Sequence, residues 1–288
     1  MWHTQTACVT GRSHQRSGMP LQDRTCVRTE GGVTAAAVSD GAGSARLSQE
    51  GAGAAVQRVC RFLCQHFDAL YQSETPAQLR QAVLEQAQEA VSSRARELDA
   101  PLRELACTLL AVAVKGDQYL LFHLGDGVIA YQKEGSLQVA SVPWNGEFAN
   151  STVFVTSPNA LRHCRVYRGT QPKLEGFCLM TDGCEAALYD KRRQRVAPLL
   201  GVLLQQTQLL QAQTAAEILD EVLARVIARR SYDDCSLVLL SRAGSRFGRW
   251  AQMSPREKAA VLGIQTQNNS RRRKQINRYA KAYGIAAL

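Results

Sequence analysis

The chain has 288 residues, 45% apolar and 21% charged, with a formal net charge of +10. That is globular composition, which excludes a disordered chain, and no run approaches the roughly 20 apolar residues a membrane-spanning helix needs. The charge is uneven: residues 242–288 hold eleven Lys or Arg and one acid, Glu257, whereas 24 basic and 24 acidic residues cancel over 1–241. We place a domain boundary there, with a body at 1–241 and a basic C-terminal tail at 242–288.

In chain order, residues 4–10, 24–29 and 33–39 are short runs between glycine-containing loops and read as strands. From 48 to 71 the period changes to a helical one, with Ala52, Ala55, Val56, Val59, Leu63, Phe67 and Leu70 on one face. Thr75-Pro76 opens a second helix running to about 98, since Pro suits a first turn. Its stripe is Leu79, Val83, Leu84, Ala87 and Val91. Four apolar runs follow at 105–114, 119–124, 128–132 and 137–141. They are joined by Lys115-Gly116-Asp117, Gly125-Asp126-Gly127 and Glu134-Gly135, which are hairpin turns by composition. Strands are expected at 153–156, 163–167 and 176–180, helices at about 185–189, 196–207 and 214–230, and a last buried strand at 235–240. Ile218, Leu219, Val222, Leu223, Val226 and Ile227 form the core stripe of the final helix. Helix pairs between hairpin-linked strands make an α+β pattern. Two stacked antiparallel β-sheets flanked by helix pairs, an α-β-β-α sandwich, would use every apolar face.

The nine cysteines have no metal-ligand spacing, and Cys60 and Cys64, one helical turn apart, have no second pair. An odd count of apolar-flanked thiols fits a reducing compartment, so a cytoplasmic location is expected. The opening MWHTQTACVTGRS has neither the basic start nor the apolar core of a secretion signal. His123 lies inside a strand and reads as a packed or hydrogen-bonded imidazole rather than a ligand.

Chemistry concentrates in the acids. Asp40-Gly41, Asp126-Gly127 and Asp182-Gly183 each end an expected strand, and Asp233-Asp234 precedes the last one. Asp-Gly is a common turn dipeptide, and for Asp126, flanked by strands, a plain hairpin is a sufficient reading. After Asp40-Gly41 and Asp182-Gly183, however, the chain goes to small residues and a helical pattern instead of a returning strand. Converging carboxylates repel unless cations neutralise them, and hard oxygen ligands suit magnesium or manganese.

The ordered series Gln22-Asp23, Asp40-Gly41-Ala42-Gly43, Ala106-Cys107-Thr108, Gly125-Asp126-Gly127, Thr181-Asp182-Gly183 and Asp233-Asp234 resembles the type-2C metal-dependent serine/threonine protein phosphatases, in their bacterial branch. The resemblance spans about 1–241. It implies hydrolysis of phosphoserine and phosphothreonine in proteins by a metal-bound hydroxide, with two or three Mn2+ or Mg2+ ions and no covalent intermediate. By position, Asp40 would bridge two ions with the Gly41 carbonyl as a further ligand. Asp182 and Asp233 would complete the first, Asp126 with Asp182 would serve a third, and Asp23 would act through a bound water. Asp40, Asp182 and Asp233 are the implied catalytic set. A phosphorylated protein substrate and a cognate kinase are the implied partners.

Three positions depart from the family pattern: Gln22 replaces an acid, Ala42 a frequent histidine, and Gly18 the phosphate-binding arginine. Arg16 is the expected phosphate ligand instead, with His14 nearby. These departures motivate an alternative, an inactive relative that binds a phosphoprotein or kinase. In the tail, Ser254-Pro255-Arg256-Glu257 is a helix-start pattern, and a second helix would align Ile276, Tyr279 and Tyr283. It reads either as an appendage docked on the body or as electrostatic capture of an acidic partner or nucleic acid.

Overall fold

Successive residues of a strand point to opposite faces, so a strand apolar at every position must be covered on both sides. The computed structural model describes residues 1–73, 75–143 and 152–243. The elements are β1 (Trp2–Val9), α1 (Arg12–Ser17), β2 (Arg24–Glu30), β3 (Val33–Ser39), α2 (Ser48–Tyr71) and α3 (Pro76–Glu97). There follow β4 (Leu109–Lys115), β5 (Gln118–Leu124), β6 (Val128–Lys133), β7 (Ser136–Ser141), α4 (Ala160–His163), β8 (Arg165–Thr170) and β9 (Leu174–Met180). The last are α5 (Glu185–Leu188), β10 (Tyr189–Asp190), β11 (Arg195–Val196), α6 (Leu199–Leu209), α7 (Ala212–Val222) and β12 (Cys235–Arg242).

Two antiparallel sheets stack face to face, one in the order β1-β12-β9-β6-β7 and the other β2-β3-β4-β5-β8. Strand β3 shows the layering. Ala35 and Ala37 face the helix layer of α2 and α3, while Ala36 and Val38 face the other sheet with Phe177, Leu179 and Val238. Alanines on β3 meet Ala52 and Ala55 of α2, and small side chains on both sides let helix and sheet approach closely. On the outer face of the first sheet, α6 and α7 supply Leu200, Leu203, Leu204, Ile218, Leu219 and Val222. A capping box starts α3, in which Gln78 N–H donates to Thr75 Oγ1 and Thr75 N–H to Gln78 Oε1. The expected stripes of α2 and α3 are all buried. After Val222 the chain continues through a π turn at Leu223–Ile227 and a 3-10 turn at Ala228–Arg230, with Leu223, Val226 and Ile227 still in the core.

The structure corrects several local readings. Gly125-Asp126-Gly127 is not a hairpin turn, because β5 belongs to one sheet and β6 to the other. A turn and a crossover between sheets both demand compact residues, so local composition cannot separate them. Residues 153–156 are not a strand. Val153 and Val155 use their apolar side chains to pack on the helix-side core, and one backbone bond, Val155 N–H to Cys107 O at 2.7 Å, ties them down. The expected strand at 163–167 is displaced by the turn of α4, and that at 105–114 starts only at Leu109. Residues 12–17, with no apolar face, form α1 where a loop was expected. The expected tail helices and part of the 146–157 segment lie outside the described residues.

Candidate functional site

Strand register brings the acids to one end of the sandwich. Asp23 precedes β2, whose Arg24 pairs with Ser39, the residue before Asp40. In the other sheet Val128 and Leu237 both pair with Met180, so Asp126, Asp182, Asp233 and Asp234 gather around the end of β9. Oxygens of Asp40, Asp126 and Asp182 lie within 4.8 Å of one another, as do ligating atoms of His14, Asp233 and Asp234.

The glycines behind these acids are required by close approach. A Cβ would lie 2.9 Å from Gln22 O at Gly41, 2.4 Å from Met180 O at Gly127 and 1.9 Å from Asp234 O at Gly183. None of the three has a positive φ, so the Asp-Gly pairs are not left-handed turns. They allow backbones from different strands to meet where the carboxylates converge. Thr108 fixes Asp40: Asp40 N–H donates to Thr108 Oγ1 at 2.9 Å, and Thr108 N–H donates to Asp40 O at 2.8 Å.

Burial and mutual repulsion hold Asp40, Asp23 and Asp182 above the ordinary carboxylate range. Asp40 is raised by desolvation and then by the charges of Asp23, Asp182, Asp126 and Asp233. Asp23, almost fully buried, is pushed up to about 7, mainly by desolvation, and Asp182 to about 6 by desolvation with Asp126 and Asp233 beside it. Asp23 Oδ1, Asp126 Oδ1, Asp182 Oδ1 and Gln22 Oε1 are buried oxygens that accept no hydrogen bond from the described residues. Each is an acceptor lacking a donor, and the other oxygen of Asp23 already accepts from Thr181 Oγ1 at 2.8 Å. Such a set fits a cation and its bound waters, and it fits no anion.

Neighbouring Asp233 and Asp234 differ sharply. Asp234 is 2% exposed. Its Oδ1 accepts from Gly11 N–H at 2.7 Å and lies 3.0 Å from His14 Nδ1, while Oδ2 accepts from Gln22 N–H at 2.7 Å. It clamps the 11–22 segment to the start of β12. Asp233 is exposed, accepts the Asp234 N–H at 2.9 Å, and leaves its charge acting on Asp40 and Asp182. Arg16 is exposed on α1 and makes no ion pair among the described residues. It lies two positions from His14, so the two side chains leave the helix on different faces.

His123 is a packing histidine. Nε2 donates to Gly125 O at 3.2 Å, leaving Nδ1 to accept from Ser141 Oγ at 2.7 Å. Burial, with the Arg165 charge nearby, pushes its pKa down to about 3, so the ring is neutral and props the Gly125 turn. Two site residues escaped the sequence reading. Thr152 Oγ1 donates to Asp126 Oδ2 at 2.5 Å, and Glu185, buried beside the centre, pairs with Lys191 Nζ at 2.5 Å. A threonine in a loop carries no local signal. Glu185 could have been noticed as a charge on the buried face of a short helix.

Two stacked sheets with carboxylates from both converging at one end define an acid-lined hydrolase centre. The sequence pattern of the protein phosphatase 2C family matches residues 10–225, and the chain belongs to that family. It is accordingly an enzyme of the protein serine/threonine phosphatase class. It is 26% identical over 196 residues to serine/threonine-protein phosphatase 3 of Escherichia coli K12, covering 64% of this chain and 74% of that protein. Among solved structures, the serine/threonine phosphatase of S. agalactiae superposes with a TM-score of 0.57 at 13% identity, over 84% of this chain and 99% of that one. The phosphatase Stp1 of Staphylococcus aureus gives 0.56 at 14%, over 85% and 96%. At such identities these superpositions show the fold alone.

Proposed function

We propose that this chain removes phosphate from phosphoserine and phosphothreonine in proteins, using two or three Mn2+ or Mg2+ ions. The observation that carries the reading is the meeting of Asp40, Asp126 and Asp182 oxygens within 4.8 Å, with buried acceptors around them that no donor among the described residues satisfies. Asp40 and Asp182 would be the shared ligands, with the Gly41 carbonyl, Asp233 and Asp126 completing separate ions and Asp23 acting through a water. Divalent cations, when bound, would offset charge on phosphoryl oxygens and make a water acidic enough to attack phosphorus in line. The chain's own residues hold this array rigid: Thr108 fixes the Asp40 backbone, Thr152 orients Asp126, and Thr181 orients Asp23. Arg16, unpaired among the described residues, keeps a guanidinium available for the phosphoryl group.

Nothing in the described residues favours the inactive alternative, since every carboxylate of the expected set is present. Gln22 donates Nε2–H to Ala45 O at 3.0 Å and turns Oε1 free, so it keeps an oxygen where the family has an acid. All nine cysteines are free, which supports a cytoplasmic setting. Among the described residues no helix is long and apolar enough to cross a membrane. The test is phosphate release from a phosphothreonine peptide. Chelator should abolish it and Mn2+ restore it; undiminished release after exhaustive chelation would overturn the reading.

A further inference from the structure

The chain leaves the acidic centre through one compact segment and then raises a small hairpin. Asp182–Cys184 is a 3-10 turn, α5 follows directly, and β10 pairs with β11 through Tyr189↔Val196 and Asp190↔Arg195. The hairpin is anchored at its base: Leu188 and Val196 are buried in the core, Tyr189 packs against it, and Ala197 N–H donates to Leu188 O at 2.8 Å. Its tip is Asp190-Lys191-Arg192-Arg193-Gln194-Arg195, all exposed, with four cations and one acid.

Two of those cations have structural work. Lys191 pairs with Glu185 at 2.5 Å, which holds the tip toward the centre, and Arg193 lies 3.5 Å from Asp190 across the turn. Arg192 and Arg195 are exposed and have no acidic partner among the described residues. The charges of Asp182 and Asp126 reach Lys191, so the tip borders the catalytic end of the sandwich. A 3-10 turn at Asp182–Cys184 and an α turn at Glu185–Leu188 carry the chain from Asp182 to Tyr189 at the base of the hairpin, a rise of about 12 Å. An extended peptide covers that distance in about four residues.

We propose that the Lys191–Arg195 hairpin is a substrate-selecting surface, on which Arg192 and Arg195 receive acidic side chains about three to five residues from the phosphorylated residue. This rests on the phosphatase reading above and names the class of phosphoprotein the site prefers. An acidic cleft that must draw in an anionic substrate benefits from cations at its rim, where they attract the substrate without binding the catalytic ions. A rigid base under a flexible guanidinium tip suits recognition of carboxylates in varied registers.

The experiment uses the full chain with Mn2+ and two phosphothreonine peptides, identical except for Asp or Gln at positions three to five on both sides of the phosphothreonine. Exposed charge pairs contribute about twofold to fivefold each. The unsubstituted protein should therefore favour the acidic peptide in kcat/KM by roughly fourfold to 25-fold more than the Arg192→Ala, Arg195→Ala double variant does. The basic tail is common to both proteins and cancels from that difference. Salt should erode the difference, and turnover of a small aryl phosphate should be the same in both. Equal peptide preference in the two proteins overturns the proposal while leaving the phosphatase reading intact. Failure of Mn2+-loaded protein to hydrolyse even the aryl phosphate overturns both.

Discussion

Replacing Asp234 by alanine should damage the fold, whereas replacing Asp233 should damage the centre. Asp234 accepts two backbone N–H groups, from Gly11 and Gln22, both of which are buried. Truncation strands both buried donors, at about 1–3 kcal/mol each, so roughly 2–6 kcal/mol in all. For a domain of this size, about 2–4 °C of melting temperature accompanies each kcal/mol. The midpoint should drop by roughly 5–20 °C, in chelator and in excess Mn2+ alike. Asp234→Asn, which keeps one acceptor oxygen, should fall between. Asp233→Ala should melt in chelator at or above the unsubstituted protein, because it removes a like charge from beside Asp40 and Asp182. Its gain in melting temperature on adding Mn2+ should shrink. Calorimetry of the three variants with and without Mn2+ settles the assignment. If Asp234→Ala melts within a degree or two of the parent, or Asp233→Ala is the less stable in chelator, the division of labour is wrong.

Asp40→Asn and Asp182→Asn should each lower turnover by a factor of hundreds or more while raising the melting point in chelator, since each removes a repelling charge; near-normal rates would show that other acids do the work. Asp23 holds a proton in the folded state up to about pH 7 that the unfolded chain sheds near 4, so it makes the metal-free protein less stable as pH rises between those values. Asp23→Asn should remove that contribution, making the slope of stability against pH more positive by up to about 1.4 kcal/mol per unit; His123 contributes equally to both proteins and drops out of the comparison. Gly183→Ala, which would place Cβ 1.9 Å from Asp234 O, should disrupt the start of β12 and abolish activity, as read by midpoint and turnover. Removing 244–288 should leave aryl-phosphate turnover intact, since every proposed ligand precedes it, and should weaken salt-sensitive association with acidic partners; aggregation of the truncated body would instead show the tail to be part of the fold.

Local pattern carried a great deal of this protein. The bounds of α2, from Ser48 to Tyr71, follow from periodicity, because a buried stripe must repeat with the backbone, and those of β3, from Val33 to Ser39, from a short apolar run between glycine-containing loops. Asp40 and Asp182 stood out in the sequence because each Asp-Gly is followed by a helical pattern, which a hairpin would not allow. Asp126 was ambiguous for a physical reason: its neighbours are strands on both sides, and only their partners show that they lie in different sheets. Pairing between strands far apart in sequence is decided by the whole core, not by the turn.

The same limit explains the Asp233-Asp234 pair. The sequence by itself determined that acids stand before the last strand, that charge cancels over 1–241 and is basic over 242–288, and that the strands and helices alternate in an α+β order. Tertiary structure alone decided which of the two acids turns inward to hold Gly11 and Gln22 and which stays at the surface beside Asp40. It also decided that Thr152 meets Asp126, and that a basic hairpin stands at the rim of an acidic centre. Periodicity says which residues are buried; only the packed chain says what they are buried against.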